Sequence, residues 1–275
     1  MNINQAAMRE RSHRHKHIRL KEKDIIIYRE VSSTNTVAQM MALKGAHEGT
    51  IVMSTFQTSG KGRMQRQWVC PPGKGIMMSM ILRPKLNSRL VPQLTLLSGV
   101  VVAETIRKVT QCKAGIKWPN DIVIGGKKVC GILAQSNISS GTAGFVIMGI
   151  GINVNQDENQ LPPDCKDTST SLKIELGRRL SRLNVLSQFI SIWEKHYQRF
   201  LKMGYPYLRR KWIENNVTLG RYISINSEES PKGLAIDISE RGGLLVSLPD
   251  GLIKEFLAED LSLGRSYYQR ESVIT

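Results

Sequence analysis

The sequence predicts an α+β fold, in which a mixed-sheet domain is followed by a small all-β domain. Three observations carry this. Short β-rich runs are interleaved with two long helical patterns between residues 24 and 216. Near residue 217 the composition changes to several short apolar runs separated by the turn signals "SEES", "ERGG" and "PDG". That is the pattern of a small β-barrel of about fifty residues. Finally, 275 residues, 41% of them hydrophobic and 23% charged, suit one large domain with a satellite.

The elements follow in order. Residues 1–23 are polar, with His13, His15 and His17 alternating, and read as a basic flexible tail rather than a metal site, because nothing apolar anchors them. "DIIIYREV" (24–31) reads as a strand. "SSTNTVAQMMALKG" reads as a helix capped by Ser33 or Thr34, with Val37, Met40 and Met41 on its apolar face and Gly45 closing it. Residues 50–57 form a second strand and "GIMMSMILRP" a third, ended by Pro84. Residues 90–110 make a helix with a broad apolar face and Pro92 in its first turn. "AGIKW" is a short strand running into "PND". In "DIVIGGKKVCGILAQSN", two β-rich runs flank Gly125-Gly126, which is hairpin chemistry. "FVIMGIGINVN" (145–155) is another strand, followed by a polar, Pro-containing loop. Residues 184–203 form an amphipathic helix and "YLRRKWIENN" a further short one. The expected boundaries are therefore 1–23 for the tail, 24–216 for the larger domain and 217–270 for the β-barrel.

Several classes of protein are disfavoured. No run reaches the ~18–20 apolar residues of a membrane span, and the charged N-terminus has no apolar stretch after it, so it is no secretory signal. Cys70, Cys112, Cys130 and Cys165 are scattered without a C-x-x-C, which fits a reducing cytoplasm and neither a zinc ribbon nor a redox pair. The net charge of +16 draws the protein to something acidic without saying what.

The stretch "TSGKGRMQRQW" (58–68) sharpens that question. Gly60 and Gly62 permit positive φ and close approach to a ligand, while Lys61, Arg63 and Arg66 supply charge for a phosphate or carboxylate. It is neither a Walker A loop nor a G-x-G-x-x-G. Alone it is equally an anion site or a surface turn.

Four stretches decide the matter together: "SSTN" at a helix start, "FQTSGKGRMQRQW", "IKWPNDIVIGGKKVCGIL" and "GIGINVN". In this order, with Lys128 seven residues after Asp121 and "GIL" behind it, they resemble the biotin protein ligase family over residues 25–265. The resemblance implies a biotin/lipoate-ligase-type mixed-sheet catalytic domain with a small C-terminal SH3-like β-barrel. It implies a two-step ligase: biotin and ATP, with Mg2+, give biotinyl-5′-adenylate, and a lysine of a biotin carboxyl carrier protein then takes the biotin. Carried over by position, biotin contacts fall on Ser33, Thr34, Asn35, Gln57, Lys61, Gly62, Arg63, Lys128, Gly131, Gly149 and Gly151. Nucleotide contacts fall on Arg63, Arg66, Trp68, Lys117, Asn120 and Asn153. Lys128 and Arg63 would be the catalytic cations, with no dedicated carboxylate cage for a metal. The loop departs from the family's usual G-R-G-R-x-G, since Lys61 replaces the first arginine and Gln65 the last glycine.

Two other readings fit parts of the sequence. One is a lipoate or other acyl-group ligase of the same fold. The other is a biotin-responsive regulator, but only about 24 residues precede the first catalytic strand, too few for a winged helix. The resemblance thus implies a cytoplasmic enzyme, a homodimer through the catalytic sheet, no membrane association and no sequence-specific DNA binding.

Overall fold

A computed structural model describes residues 15–20, 23–139, 142–224 and 232–258. Its centre is an eight-stranded mixed sheet. In chain order the first elements are Lys16–Leu20 (β1), Lys23–Tyr28 (β2), Thr34–Leu43 (α1), Ile51–Ser54 (β3), Ile76–Leu82 (β4) and Val91–Thr110 (α2). Ala114–Lys117 (β5), Asp121–Ile124 (β6), Lys127–Ser139 (β7) and Thr142–Ile152 (β8) complete the sheet. The strands lie in the order β1-β2-β3-β4-β8-β7-β6-β5, and only the β2–β3 pair is parallel. The helices Leu172–Leu176 (α3) and Arg182–Asn215 (α4) follow.

Strand alternation separates core from site. On one face Ile76, Met78 and Met80 of β4, Ile150 and Ile152 of β8, and Cys130 and Ile132 of β7 are buried. They belong to one hydrophobic cluster with α2 and α4. A buried residue of this size contributes about 1.5–3 kcal/mol, so these rows fix the register. The opposite face carries, at the intervening strand positions, mostly small and polar residues with Met77 and Leu133 among them. Ser79, Gly149 and Leu133 are register partners in one row, and Met77, Gly151, Gly131, Asp121 and Lys117 in the next. α1 covers the far end of this second face through Val37, Ala38 and Ala42, packed with Val52, Ile81, Phe145 and Ile147.

The C-terminal strands are Tyr222–Ser224 (β9), Lys232–Ile238 (β10), Leu244–Ser247 (β11) and Ile253–Phe256 (β12). They form an antiparallel sheet in the order β12-β11-β10-β9, consistent with the expected SH3-like unit. The "SEES" turn and residues 259–270 lie outside the described residues. This unit is fastened to α2, α4 and the segment after β5: Trp118 Nε1 donates to Gly242 O at 3.1 Å, Gln93 of α2 to Glu240 O at 2.6 Å, and Arg209 of α4 pairs with Asp237.

Several expectations need correction. Residues 16–20, placed in the flexible tail, form a strand paired with β2, because Ile18 and Leu20 pack against the core. Met40 is 39% exposed while Ala38 and Ala42 are buried, since small side chains let α1 lie close to the sheet. The strand expected over 50–57 ends at Ser54, where the chain turns toward the glycine-basic loop. The two C-terminal helices stand as expected: the helical stretch Arg182–Asn215 is broken at Gly204, where φ is +62° and ψ −150°. α3 went unanticipated because five residues leave no periodicity to read. α2 has the length and composition of a membrane span, yet 72% of the apolar window is buried in this fold.

Candidate active site

The polar face of the sheet opens into a cavity of about 500 Å³ that every sequence-predicted site residue lines. One end is built at the N-terminus of α1. Ser33 is the N-cap residue, but its side chain makes no capping bond. Thr34 N–H donates to Gln57 Oε1 at 2.7 Å, and the Thr34 hydroxyl lies 3.1 Å from the same oxygen. Asn35 Oδ1 accepts from the Ser79 hydroxyl at 2.6 Å. Here the floor is Gly149, where a Cβ would collide with the Asn35 amide.

The other end is cationic. Asp121 and Lys117 are opposed across β5 and β6, and Lys128 Nζ stands 2.7 Å from Asp121 Oδ1. Lys128 reaches this face because of a β-bulge. Between Ile122 and Val123 the register skips a residue of β7, which reverses the alternation. Gly125 and Gly126, both at positive φ, make the tight turn that precedes it. Lys117 is 3% exposed. Burial pulls its pKa down to about 7; Asp121 works against this, whereas Lys128, Arg221 and Arg66 add to it.

The glycine-basic loop forms the lid side. It is a miniature hairpin: Trp68 N–H donates to Gly60 O at 3.0 Å, Gly62 N–H to Arg66 O at 2.7 Å, and Arg66 N–H to Arg63 O at 3.0 Å. Positive φ is found at Met64 (51°) and Gln65 (60°), not at the glycines where the sequence placed it. Gly60 is needed for another reason, since a Cβ there would strike the Trp68 carbonyl. Arg63 donates to Asn120 Oδ1 at 3.0 Å and to the Ala258 carbonyl. Asn120 is itself held by the Ile132 carbonyl at 2.8 Å. The Trp68 indole lies on Gly131 and Gly151; a Cβ at Gly151 would collide with it, and one at Gly131 would be a tight 3.1 Å from it. Lys128 Nζ sits 5.8 Å from its centroid.

A further wall was missed from sequence. Lys128 N–H donates to Thr168 O, and Thr170 N–H to Lys128 O, so residues 162–169 border the cavity beside Lys128. Asn153 anchors this wall, donating to Thr170 O at 3.0 Å and accepting from Gln156 at 2.8 Å. Ser79 was also missed, although its signal was present: one hydroxyl in the apolar run "IMMSMIL". Gln135 left no comparable signal. Among the described residues, no cluster of three His, Cys, Asp or Glu side chains could hold a metal.

The pocket has neutral hydrogen-bonding groups at one end and Lys61, Arg63, Arg66, Lys117 and Lys128 at the other, which suits an elongated ligand that is uncharged at one end and anionic at the other. Residues 27–153 match the model of the biotin/lipoate A/B protein ligase family. The bifunctional ligase/repressor BirA of Bacillus subtilis is 38% identical over 87% of this chain and 74% of its own length. The biotin–[acetyl-CoA-carboxylase] ligase of Mycobacterium tuberculosis is 26% identical over 82% and 84%. The biotin protein ligase of Aquifex aeolicus, solved in complex with biotin and ATP, superposes with a TM-score of 0.74 and 31% identity, covering 88% of this chain and 99% of that one. The chain belongs to the biotin protein ligase family.

Proposed function

We propose that the protein activates biotin with ATP and transfers it to a lysine of a biotin carboxyl carrier protein. The observation that carries this is the two-ended cavity, with neutral hydrogen-bonding groups beside Gly149 and converging cations beside Gly151. Biotin's ring suits the first end and its carboxylate, meeting the ATP α-phosphate, suits the second. In the first step a carboxylate oxygen attacks the α-phosphorus and pyrophosphate leaves. In the second the carrier amine attacks the acyl carbon, gives up a proton, and AMP leaves.

Lys128 neutralises the converging carboxylate and phosphate. Arg63, Arg66 and Lys61 hold phosphate oxygens and close the loop, which shields the reactive anhydride from water. Trp68 borders the adenine. Asn153 and Asn120 have their amides engaged in holding the wall and Arg63, so they shape the nucleotide end. Mg2+ accompanies ATP, and Asp121 and Asp164 are the carboxylates that line the cavity. We assign residues 24–216 to catalysis and 217–270 to a supporting barrel, with the enzyme a cytoplasmic homodimer that does not read DNA sequence.

The test is direct. Incubation with ATP, Mg2+, biotin and an apo carrier domain gives a mass gain of one biotinyl group on the carrier lysine. A gain with lipoate but not biotin overturns the assignment.

A further inference from the structure

Ser79 and Gln135 touch none of the charged groups, yet they complete a chain of hydrogen bonds behind the ring end of the cavity. Asn35 Nδ2 donates to Gln135 Oε1 at 2.8 Å and lies 3.5 Å from the Leu133 carbonyl. A carbonyl only accepts, so this end of the Asn35 amide is the nitrogen. The oxygen therefore faces Ser79 at 2.6 Å, and the Ser79 hydroxyl must donate to it. Ser79 Oγ is also 2.7 Å from Thr34 Oγ1. With its own proton committed to Asn35, Ser79 can meet Thr34 only as an acceptor. The Thr34 hydroxyl proton then points to Ser79, and Gln57 Oε1 is served by the Thr34 N–H at 2.7 Å. All donors in the chain run one way, from Thr34 through Ser79 and Asn35 to Gln135, an arrangement in which each bond strengthens the next. Ser79 is fully buried, and Asn35 and Thr34 are 4% and 3% exposed, so an unmet group here is costly. The Thr34 oxygen is left with lone pairs for an incoming N–H.

We infer that Ser79 and Gln135 are positioning residues for the ring of the acid substrate: they orient Asn35, and through Ser79 they turn the Thr34 hydroxyl into an acceptor for a ring N–H. The inference rests on the biotin reading above and names which protein groups enforce it. Because β7 carries both Gln135 and, seven residues earlier, Lys128, a single strand sets both ends of the cavity.

Initial rates of pyrophosphate release by the full chain, with biotin and ATP varied separately, test this. Gln135→Leu keeps the bulk and removes the acceptor, so the KM for biotin rises about tenfold, the size of one lost buried hydrogen bond, with the KM for ATP unchanged. Gln135→Glu keeps an acceptor and restores the KM for biotin to within about twofold to threefold. Ser79→Ala raises the biotin KM in the same way, and the double variant Ser79→Ala/Gln135→Leu loses less than the product of the single effects, because both act through Asn35. The inference is overturned if Gln135→Leu leaves the biotin KM unmoved. It is also overturned if Gln135→Leu and Gln135→Glu raise both KM values alike, which is what a merely structural role would do. Should Gln135→Leu fail to fold, the Ser79→Ala split between the two KM values decides. An active wild type with unmoved variants removes this inference alone; a wild type that releases no pyrophosphate with biotin removes the parent reading along with it.

Discussion

Lys117 and Lys128 share a carboxylate but are set up differently. Lys128 is in direct contact with Asp121, and its replacement by Ala leaves two approaching anions without their cation. We expect adenylate formation to fall by about 10²–10³ with the fold intact, and near-wild-type pyrophosphate release would refute the role. Lys117 is instead pushed to a pKa of about 7 by burial. The sign is definite. A lysine whose folded pKa lies below its unfolded value destabilises the native state below about pH 7, where it is charged, and that penalty is relieved as pH rises from there toward the ordinary lysine value. At a pH near 8 the free protein therefore holds Lys117 mostly neutral. A polyphosphate placed beside it favours the charged form, so ATP binding should take up protons. Titration calorimetry in buffers of different ionisation enthalpy measures this directly. Uptake should vanish in Lys117→Met, and no buffer dependence in the wild type would mean that Lys117 does not face the nucleotide. None of this was visible in sequence: "KWPND" marks both Lys117 and Asp121, but burial comes from strands brought together over long separations.

At the scale of elements, the glycine-basic loop and the first strand were read least well. The loop's glycines signalled a turn, yet Met64 and Gln65 occupy the two central positions, with the φ signs of a type I′ turn. Such turns favour Asn-Gly, and each non-glycine residue held in the left-handed region costs about 1–2 kcal/mol. Gln65→Gly should therefore steady the closed hairpin and slow release of the adenylate by roughly tenfold or less, followed by stopped-flow after trapping free enzyme. Lys61→Arg should act in the same direction by giving the phosphate a planar fork. Release rates unchanged in both variants would place the loop's grip on Arg63 and Arg66 alone. β1 escaped notice because its only apolar residues, Ile18 and Leu20, are set among bases and a histidine. It lies at the sheet edge opposite the cavity, separated from β4 by β2 and β3. Deleting residues 1–20 should lower the Tm by several degrees, since β2 loses a partner and packed side chains. The KM values for biotin and ATP should stay put. β7 and β8 were legible for the opposite reason: in "CGIL" and "GIGI" core-facing apolar residues alternate with glycines on the cavity face, while β4 was legible as an apolar run broken only by Ser79.

Across the whole molecule, the hydrogen bonds that join the small sheet to the cavity, among the described residues, reach its cationic end, the end proposed for the nucleotide. Arg63 reaches the Ala258 carbonyl beside β12, and the segment from Trp118 to Asn120 touches both units, with the Trp118 indole bonded to Gly242 and Asn120 to Arg63. The ring end is built from the start of α1, from β4, β7 and β8, and from Gln57 beyond β3. A loosened junction should therefore weaken ATP binding selectively. Trp118→Phe tests this because it keeps an aromatic ring in a site 1% exposed while removing the donor to Gly242. The lost hydrogen bond and the small void should cost about 1–3 kcal/mol of stability. If the junction positions Asn120 and Arg63, the KM for ATP rises several-fold while the KM for biotin holds. Hydrogen exchange should then show faster exchange at the Gly60–Trp68 pair together with the Gly242 turn. Equal shifts in both KM values, or a lower Tm with neither shifted, would mean that the small sheet stabilises the protein without shaping its nucleotide site.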